Sequence, residues 1–204
     1  SDPAQRYYVE IAECLGWTEN PSDANNLILD ISNDLTLTRG DFIIERYTVS
    51  LDNDASAEDG SILTNNTNPG RLLLDNGGSM QYLSASPLYS STFGRVEMDN
   101  GQGITLQSDV TIDELIMTSN EVFDIGTYLL TVDTNYIGGS GFSSSKMIET
   151  SDDHGAKGLK LKMDDDYTGG GTVTFPVGSN GYWAKCDINL STSVGSITGY
   201  LTVV

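Results

Sequence analysis

Short apolar triplets, each closed by an acidic residue and usually a turn, recur along this chain. The copies are Leu27-Ile28-Leu29-Asp30, Val49-Ser50-Leu51-Asp52, Leu72-Leu73-Leu74-Asp75, Val96-Glu97-Met98-Asp99 and, more loosely, Glu121-Val122-Phe123-Asp124. Lys146-Met147-Ile148-Glu149 is a degenerate sixth. The apolar runs are too short for helices and are punctuated by Gly, Asn and Asp, which marks them as strands separated by corners. A strand-and-corner phrase repeated every twenty-odd residues predicts a β-solenoid, in which each rung buries its apolar side only by stacking on its neighbours.

The third and fourth copies carry the prediction furthest. Leu74-Asp75-Asn76-Gly77 and Met98-Asp99-Asn100-Gly101 stay aligned into Met80/Ile104 and Tyr82/Leu106. Asn-Gly supplies the positive φ angles of a tight turn. A second self-match competes for the register, since the segment from Phe42 to Asp52 resembles that from Phe123 to Asp133. The two schemes cannot both pair rung with rung, and the shorter period, which recurs more often, is preferred.

The fold class expected is all-β: a short parallel β-solenoid (β-helix) with an N-terminal helical cap, followed by the start of an antiparallel β-sandwich. Residues 1–25 carry the cap. Asp2 suits an N-cap, Pro3 the first helical position and Gly16 the stop, while Tyr8, Ile11, Ala12 and Leu15 share one helical face. A strand alternating Tyr7, Val9 and Ile11 is the alternative. The solenoid occupies 26–150. Residues 151–204 change texture to Gly-rich turns and paired strands, an antiparallel module read as truncated because its last strand runs into Val204.

Charge narrows the function classes. The 204 residues include 10 basic and 29 acidic side chains, a net charge of −19. Nucleic acid and anionic membrane surfaces would repel such a chain. No run of about 18 apolar residues is present to span a bilayer, so membrane insertion is not expected. The first residue is Ser1 and no signal-peptide pattern follows, which reads as a processed product or a piece of something longer. Cys14 and Cys186 could pair in an oxidising compartment or remain two buried thiols.

Candidate chemistry is sparse. In the rung register, Asp30, Asp52, Asp75, Asp99 and Asp124 form a column, facing solvent at a corner or bridged by a cation. The loop from Asp52 to Gly60 offers the hard oxygen ligands calcium takes, in Asp52, Asp54, Glu58 and Asp59, without the glycine and glutamate of an EF-hand loop. Asp164-Asp165-Asp166 reads as a solvated turn, and the single histidine, His154, as a loop residue. Paired carboxylates such as Asp75 and Asp99 could in principle serve acid/base chemistry, but nothing sets them apart from the turn ladder. Tyr82, Tyr89, Phe93, Tyr136, Tyr182 and Trp183 could stack on sugar rings, though most belong in a core. Asn65-Asn66-Thr67 and Asn189-Leu190-Ser191 match a glycosylation sequon, a short and weak signal.

One resemblance covers residues 94–204. Gly103-Ile104-Thr105-Leu106, Asp109-Val110-Thr111-Ile112, Phe123-Asp124-Ile125-Gly126, Met147-Ile148-Glu149-Thr150, Phe175-Pro176-Val177-Gly178 and Gly195-Ser196-Ile197-Thr198 are similar to modules of large secreted surface proteins of Bacteroidetes. Such proteins are exported by the type IX secretion system and include gliding-motility adhesins. The resemblance implies an extracellular, cell-surface, non-enzymatic module that meets the secretion machinery in transit and carries no catalytic residues. The expected role is structural or adhesive, with a surface polysaccharide or other surface ligand as partner. A carbohydrate-binding module or a polysaccharide-degrading β-helix enzyme is the alternative, and a trimeric phage fibre a third. No cofactor is expected apart from calcium at the acidic loop.

Overall fold

A computed structural model of the chain describes residues 28–44, 47–64, 70–75, 78–86, 88–89, 91–134, 136–153, 155–163, 171–190 and 199–204. Every regular element in them is a strand. The first turn of the coil is β1 (Ile28–Ile31), β2 (Leu35–Leu37) and β3 (Phe42–Ile44), and the second is β4 (Thr48–Leu51), β5 (Ala55–Ala57) and β6 (Ile62–Thr64). The third comprises β7 (Arg71–Leu74), β8 (Gln81–Ala85) and the beginning of β9 (Thr92–Met98). β9 bends round a corner, so its end opens the fourth turn, which continues through β10 (Ile104–Leu106) into β11 (Val110–Met117). The end of β11, β12 (Phe123–Gly126) and β13 (Leu129–Val132) form the fifth.

Three parallel faces result. The first stacks β1, β4, β7 and the ends of β9 and β11. The second stacks β2, β5, β8, β10 and β12. The third stacks β3, β6, the beginnings of β9 and β11, and β13. Among the described residues, β1 to β13 form a parallel β-solenoid of about five turns, as the repeat predicts.

Stacking continues past Thr150. β14 (Ile148–Thr150) extends the second face and β15 (Gly158–Met163) the third, both parallel to the strands before them. After β16 (Gly171–Phe175), β17 (Val177–Ser179) also joins the second face in parallel. The boundary expected at 150 therefore falls inside the stacked region. Antiparallel pairing begins with β18 (Tyr182–Trp183) on β17, β19 (Cys186–Leu190) on β16, and β20 (Gly199–Val203) on β15. The expected helical cap, Cys14, His154 and Asp164-Asp165-Asp166 lie outside the described residues.

Alternation explains why these sequences coil. Along β11, Val110, Ile112, Leu115 and Met117 point inward and are buried, while Thr111, Asp113, Glu114 and Ile116 are half-exposed. The inward row Phe42, Ile62, Phe93, Ile112, Val132 and Leu161 runs through six neighbouring strands. Burying one such side chain is worth about 1.5–3 kcal/mol, but only if a rung lies on either side. The first turn demonstrates the condition. Leu29, Ile31, Leu35, Leu37 and Phe42 are partly exposed, whereas their second-turn partners Val49, Leu51, Ala55, Ala57 and Ile62 are buried.

The register corrects the repeat at its ends. Val49-Ser50-Leu51, Leu72-Leu73-Leu74 and Val96-Glu97-Met98 do pair in sequence. However, Leu29 pairs with Val49, so Asp30 faces Ser50 instead of Asp52. Met98 pairs with Met117, and Phe123-Asp124 lies on the second face, beside Ile104-Thr105 and Ile148-Glu149. The fifth and sixth copies are thus partners of each other on a different face. The column of five aspartates reduces to Asp52, Asp75 and Asp99. Phe42 lies on the third face and Phe123 on the second, so the longer-period match is not a rung equivalence.

A one-residue slip at the corner changes what enters the core. Gln81 pairs with Ile104 and Leu83 with Leu106, one residue on from the expected Met80 and Tyr82. The link from Asp75 to β8 is one residue longer than that from Asp99 to β10. Because side chains alternate across a strand, this slip turns Met80 and Tyr82 outward and Gln81 and Leu83 inward. The shorter corner is held by Asn100, whose Oδ1 accepts the Gln102 N–H at 2.7 Å. Gly103 follows at φ +85, where a Cβ would lie 2.6 Å from the Val122 carbonyl oxygen.

Candidate functional site

With every inward position committed to packing, recognition falls to the outward side chains. On the first face these neutralise one another. Arg71 pairs with Glu97, which also accepts from Thr118 Oγ1 at 3.0 Å, and Arg95 lies 3.5 Å from Glu114. On the third face Lys162 Nζ reaches Asp133 at 2.7 Å, and the Tyr200 hydroxyl donates to the other oxygen of Asp133 at 3.0 Å. Burial, and secondarily the charge of Asp133, push the Asp113 carboxyl above its usual value, with Lys162 opposing the shift. Lys160 lies over the Tyr200 ring, 4.1 Å from its centre.

The second face differs. Its outward side chains form two rows along the coil axis: Asp34, Asp54, Tyr82 and Thr105 in one, Thr36, Ser56, Ser84 and Gln107 in the other. Between them runs an open cavity of about 400 Å³, lined by Asp34, Thr36, Asp54, Ser56, Glu58, Tyr82, Ser84, Ser86 and Gln107. A second cavity of about 270 Å³ adjoins it through Ala85 and Ser86, and carries Tyr89 and Asp109 on its wall. No basic side chain lines the larger cavity, and three carboxylates do.

Local hydrogen bonds hold the rows in place. Asp54 Oδ1 accepts the Tyr82 backbone N–H at 2.9 Å, and Asp34 Oδ1 accepts the Asp54 N–H at 3.4 Å. Ser56 Oγ donates to Thr36 Oγ1 at 3.3 Å. Each aspartate thus anchors the next rung through one of its carboxylate oxygens.

The structure divides the four carboxylates expected to bind calcium. Asp52 and Asp54 flank the corner before β5, while Glu58 and Asp59 follow it. Asp54 and Glu58 line the groove; Asp59 instead lies 3.5 Å from Arg39 Nε. Among the described residues no group of three or more acidic, histidine or cysteine side chains is placed to hold a metal ion. Asp75, the middle of the aspartate column, is pushed above the usual carboxylate value by burial first and by the charges of Asp52 and Asp30 after it, against hydrogen bonding from Ser50.

Of the aromatics singled out for sugar stacking, Phe93 is wholly buried, whereas Tyr82, Tyr89, Tyr136 and Tyr182 are exposed. Only Tyr82 and Tyr89 belong to the adjoining cavities. Sequence reasoning missed Ser84, two residues on from Tyr82 along β8, and Gln107, which the pairing of β10 with β8 brings beside them.

The fold and this face define the class: a three-sided parallel β-solenoid with acidic, hydroxyl-rich outward rows. Comparisons with protein families, curated proteins and solved structures find no match for the chain. No helix among the described residues is long and apolar enough to cross a membrane.

Proposed function

We propose that this chain is a non-enzymatic structural and adhesive segment of a large extracellular surface protein, the coil serving as a stiff spacer that displays its second face. In this reading residues 1–25 form a helix over the half-exposed first turn, and the antiparallel strands after β17 begin a sandwich module. Export by the type IX system, and a gliding-motility adhesin as the parent, are the particular form we favour, on the similarity of residues 94–204.

One observation carries the reading. On the second face the two sides of each strand divide the work, a mostly apolar row inward and a repeated polar row outward, so a rung adds length and surface together. Solenoids extend in this way without altering their core. Brief protease treatment of intact cells, followed by detection with an antibody against residues 94–204, tests it. A large surface-accessible species is expected; a species the size of this chain, free in the medium, would refute it.

Carbohydrate binding is the second reading, favoured by the groove with Tyr82 on the second face. Polysaccharide cleavage is separated from binding by assaying reducing ends and unsaturated products; their release would make the chain an enzyme.

A further inference from the structure

We propose that the groove on the second face binds an uncharged polysaccharide chain lying along the coil axis, across successive rungs. This rests on the adhesive reading and names its ligand.

The first argument is periodicity. Neighbouring strands of a sheet lie about 4.8 Å apart, so Asp34, Asp54 and Tyr82, and beside them Thr36, Ser56 and Ser84, present functional groups at a regular axial step. A polymer of sugar rings presents its hydroxyls at a step on the same scale. The cavity is open to solvent and takes its lining from successive rungs, Asp34 and Thr36, Asp54 and Ser56, Tyr82 and Ser84, and Gln107. The backbone amides and carbonyls of these strands are occupied in the ladder, which leaves recognition to side chains.

The second argument is chemical. Sugar rings have C–H faces and hydroxyl rims. Tyr82 supplies an exposed aromatic face in the groove and Tyr89 a second in the adjoining cavity. An amphipathic ring of this kind suits a ligand that is part apolar and part wet. Around them stand acceptors and donors suited to hydroxyls: the carboxylates of Asp34 and Asp54, the Ser84 hydroxyl and the Gln107 amide.

The third argument is charge, which selects among polysaccharides. Asp34, Asp54 and Glu58 face the groove with no cation in its lining. Elsewhere, Arg39, Arg71, Arg95, Lys157, Lys162 and Lys185 are each paired with a carboxylate. A uronate or sulfated polymer would meet like charge without a counter-charge, whereas a neutral one meets only acceptors for its hydroxyls.

Affinity electrophoresis and calorimetry of the full chain test the proposal, using neutral β-glucan, mannan and xylan beside pectin and heparin as acidic polymers and chitosan as a cationic one. At least one neutral polymer should retard the protein, with pectin and heparin inert. Tyr82→Ala should weaken binding at least about tenfold, as loss of a stacking contact does, and Gln107→Ala should weaken it in the same direction. Tyr82→Phe should retain most of it. Tyr136→Ala and Tyr182→Ala, at side chains that line neither cavity, should bind as the parent does. Far-UV circular dichroism and Tm identify any variant that fails to fold, and Ser84→Arg, which projects into the groove from outside the core, then replaces it. Absence of retardation by every neutral polymer, retention by chitosan alone, or undiminished binding by Tyr82→Ala would each overturn the assignment. Surface display without glycan binding would sink this inference and leave the display reading standing; binding by a protein never found at a cell surface would do the reverse.

Discussion

The Asn100 side chain donates through Nδ2 to Gln81 Oε1 at 2.9 Å, and neither residue is exposed to solvent. Gln81 Nε2 in turn donates to the carbonyls of Leu51 and Asn53, both at 2.7 Å, while Asn100 Nδ2 also reaches the Ser79 carbonyl at 2.9 Å. Two amides thus bind three turns together at the corner between the first and second faces. Buried polar groups are stable only when partnered, and here the partners are carbonyls at the corner, of which that of Leu51 also receives the Asp75 N–H at 3.5 Å.

Removing Gln81 should therefore cost more than its volume. Gln81→Leu leaves the Leu51 and Asn53 carbonyls and the Asn100 amide short of partners, and we expect a loss of about 2–4 kcal/mol. Urea unfolding measures it. A double-mutant cycle with Asn100→Ala should show coupling of at least about 0.5 kcal/mol, and strict additivity would refute the network.

Gly103 tests the corner from the backbone side. Its φ of +85 and the nearby Val122 carbonyl make any side chain unfavourable there. Gly103→Ala should destabilise by about 1–3 kcal/mol, whereas Gly101→Ala, with nothing near its absent Cβ, should cost less. Thermal melts of the two variants compare them directly.

The Asp113 carboxyl predicts a pH dependence. Folding raises its pKa above the usual 3.8, chiefly by burial, so the folded chain holds this proton more tightly than the unfolded one. The resulting stabilisation is present below about pH 4 and is lost as pH rises through the raised value. Asp113→Asn should raise Tm at pH 7, by less than about 1 kcal/mol in free energy given its partial exposure, and the gain should vanish at low pH. A gain that grew on acidification would contradict the assignment.

Equivalent positions on different turns should differ in worth. Phe93 is wholly buried in the third turn, while Phe42, two strands earlier in the same inward row, is half-exposed. Phe93→Ala should cost about 3–5 kcal/mol and Phe42→Ala distinctly less. Hydrogen exchange should likewise be faster in β1 to β3 than in β9 to β13, because local opening follows the density of buried contacts.

The sequence by itself determined the class of fold, because alternation and turn residues are local properties. Val49-Ser50-Leu51, Leu72-Leu73-Leu74 and Val96-Glu97-Met98 are successive rungs in the sequence and in the structure. It also established an acidic chain, with a net charge of −19. Tertiary structure alone decided which copies share a face, since corners differ in length and each added residue reverses inside and outside. That reversal turned Tyr82 out to the groove and drew Gln81 into the core. Corner lengths also placed Phe123-Asp124 on the second face. The groove exists only where Asp54, Tyr82 and Gln107, from three separate turns, come side by side. Nothing local to any of them encodes that meeting, because it depends on the summed length of the corners between.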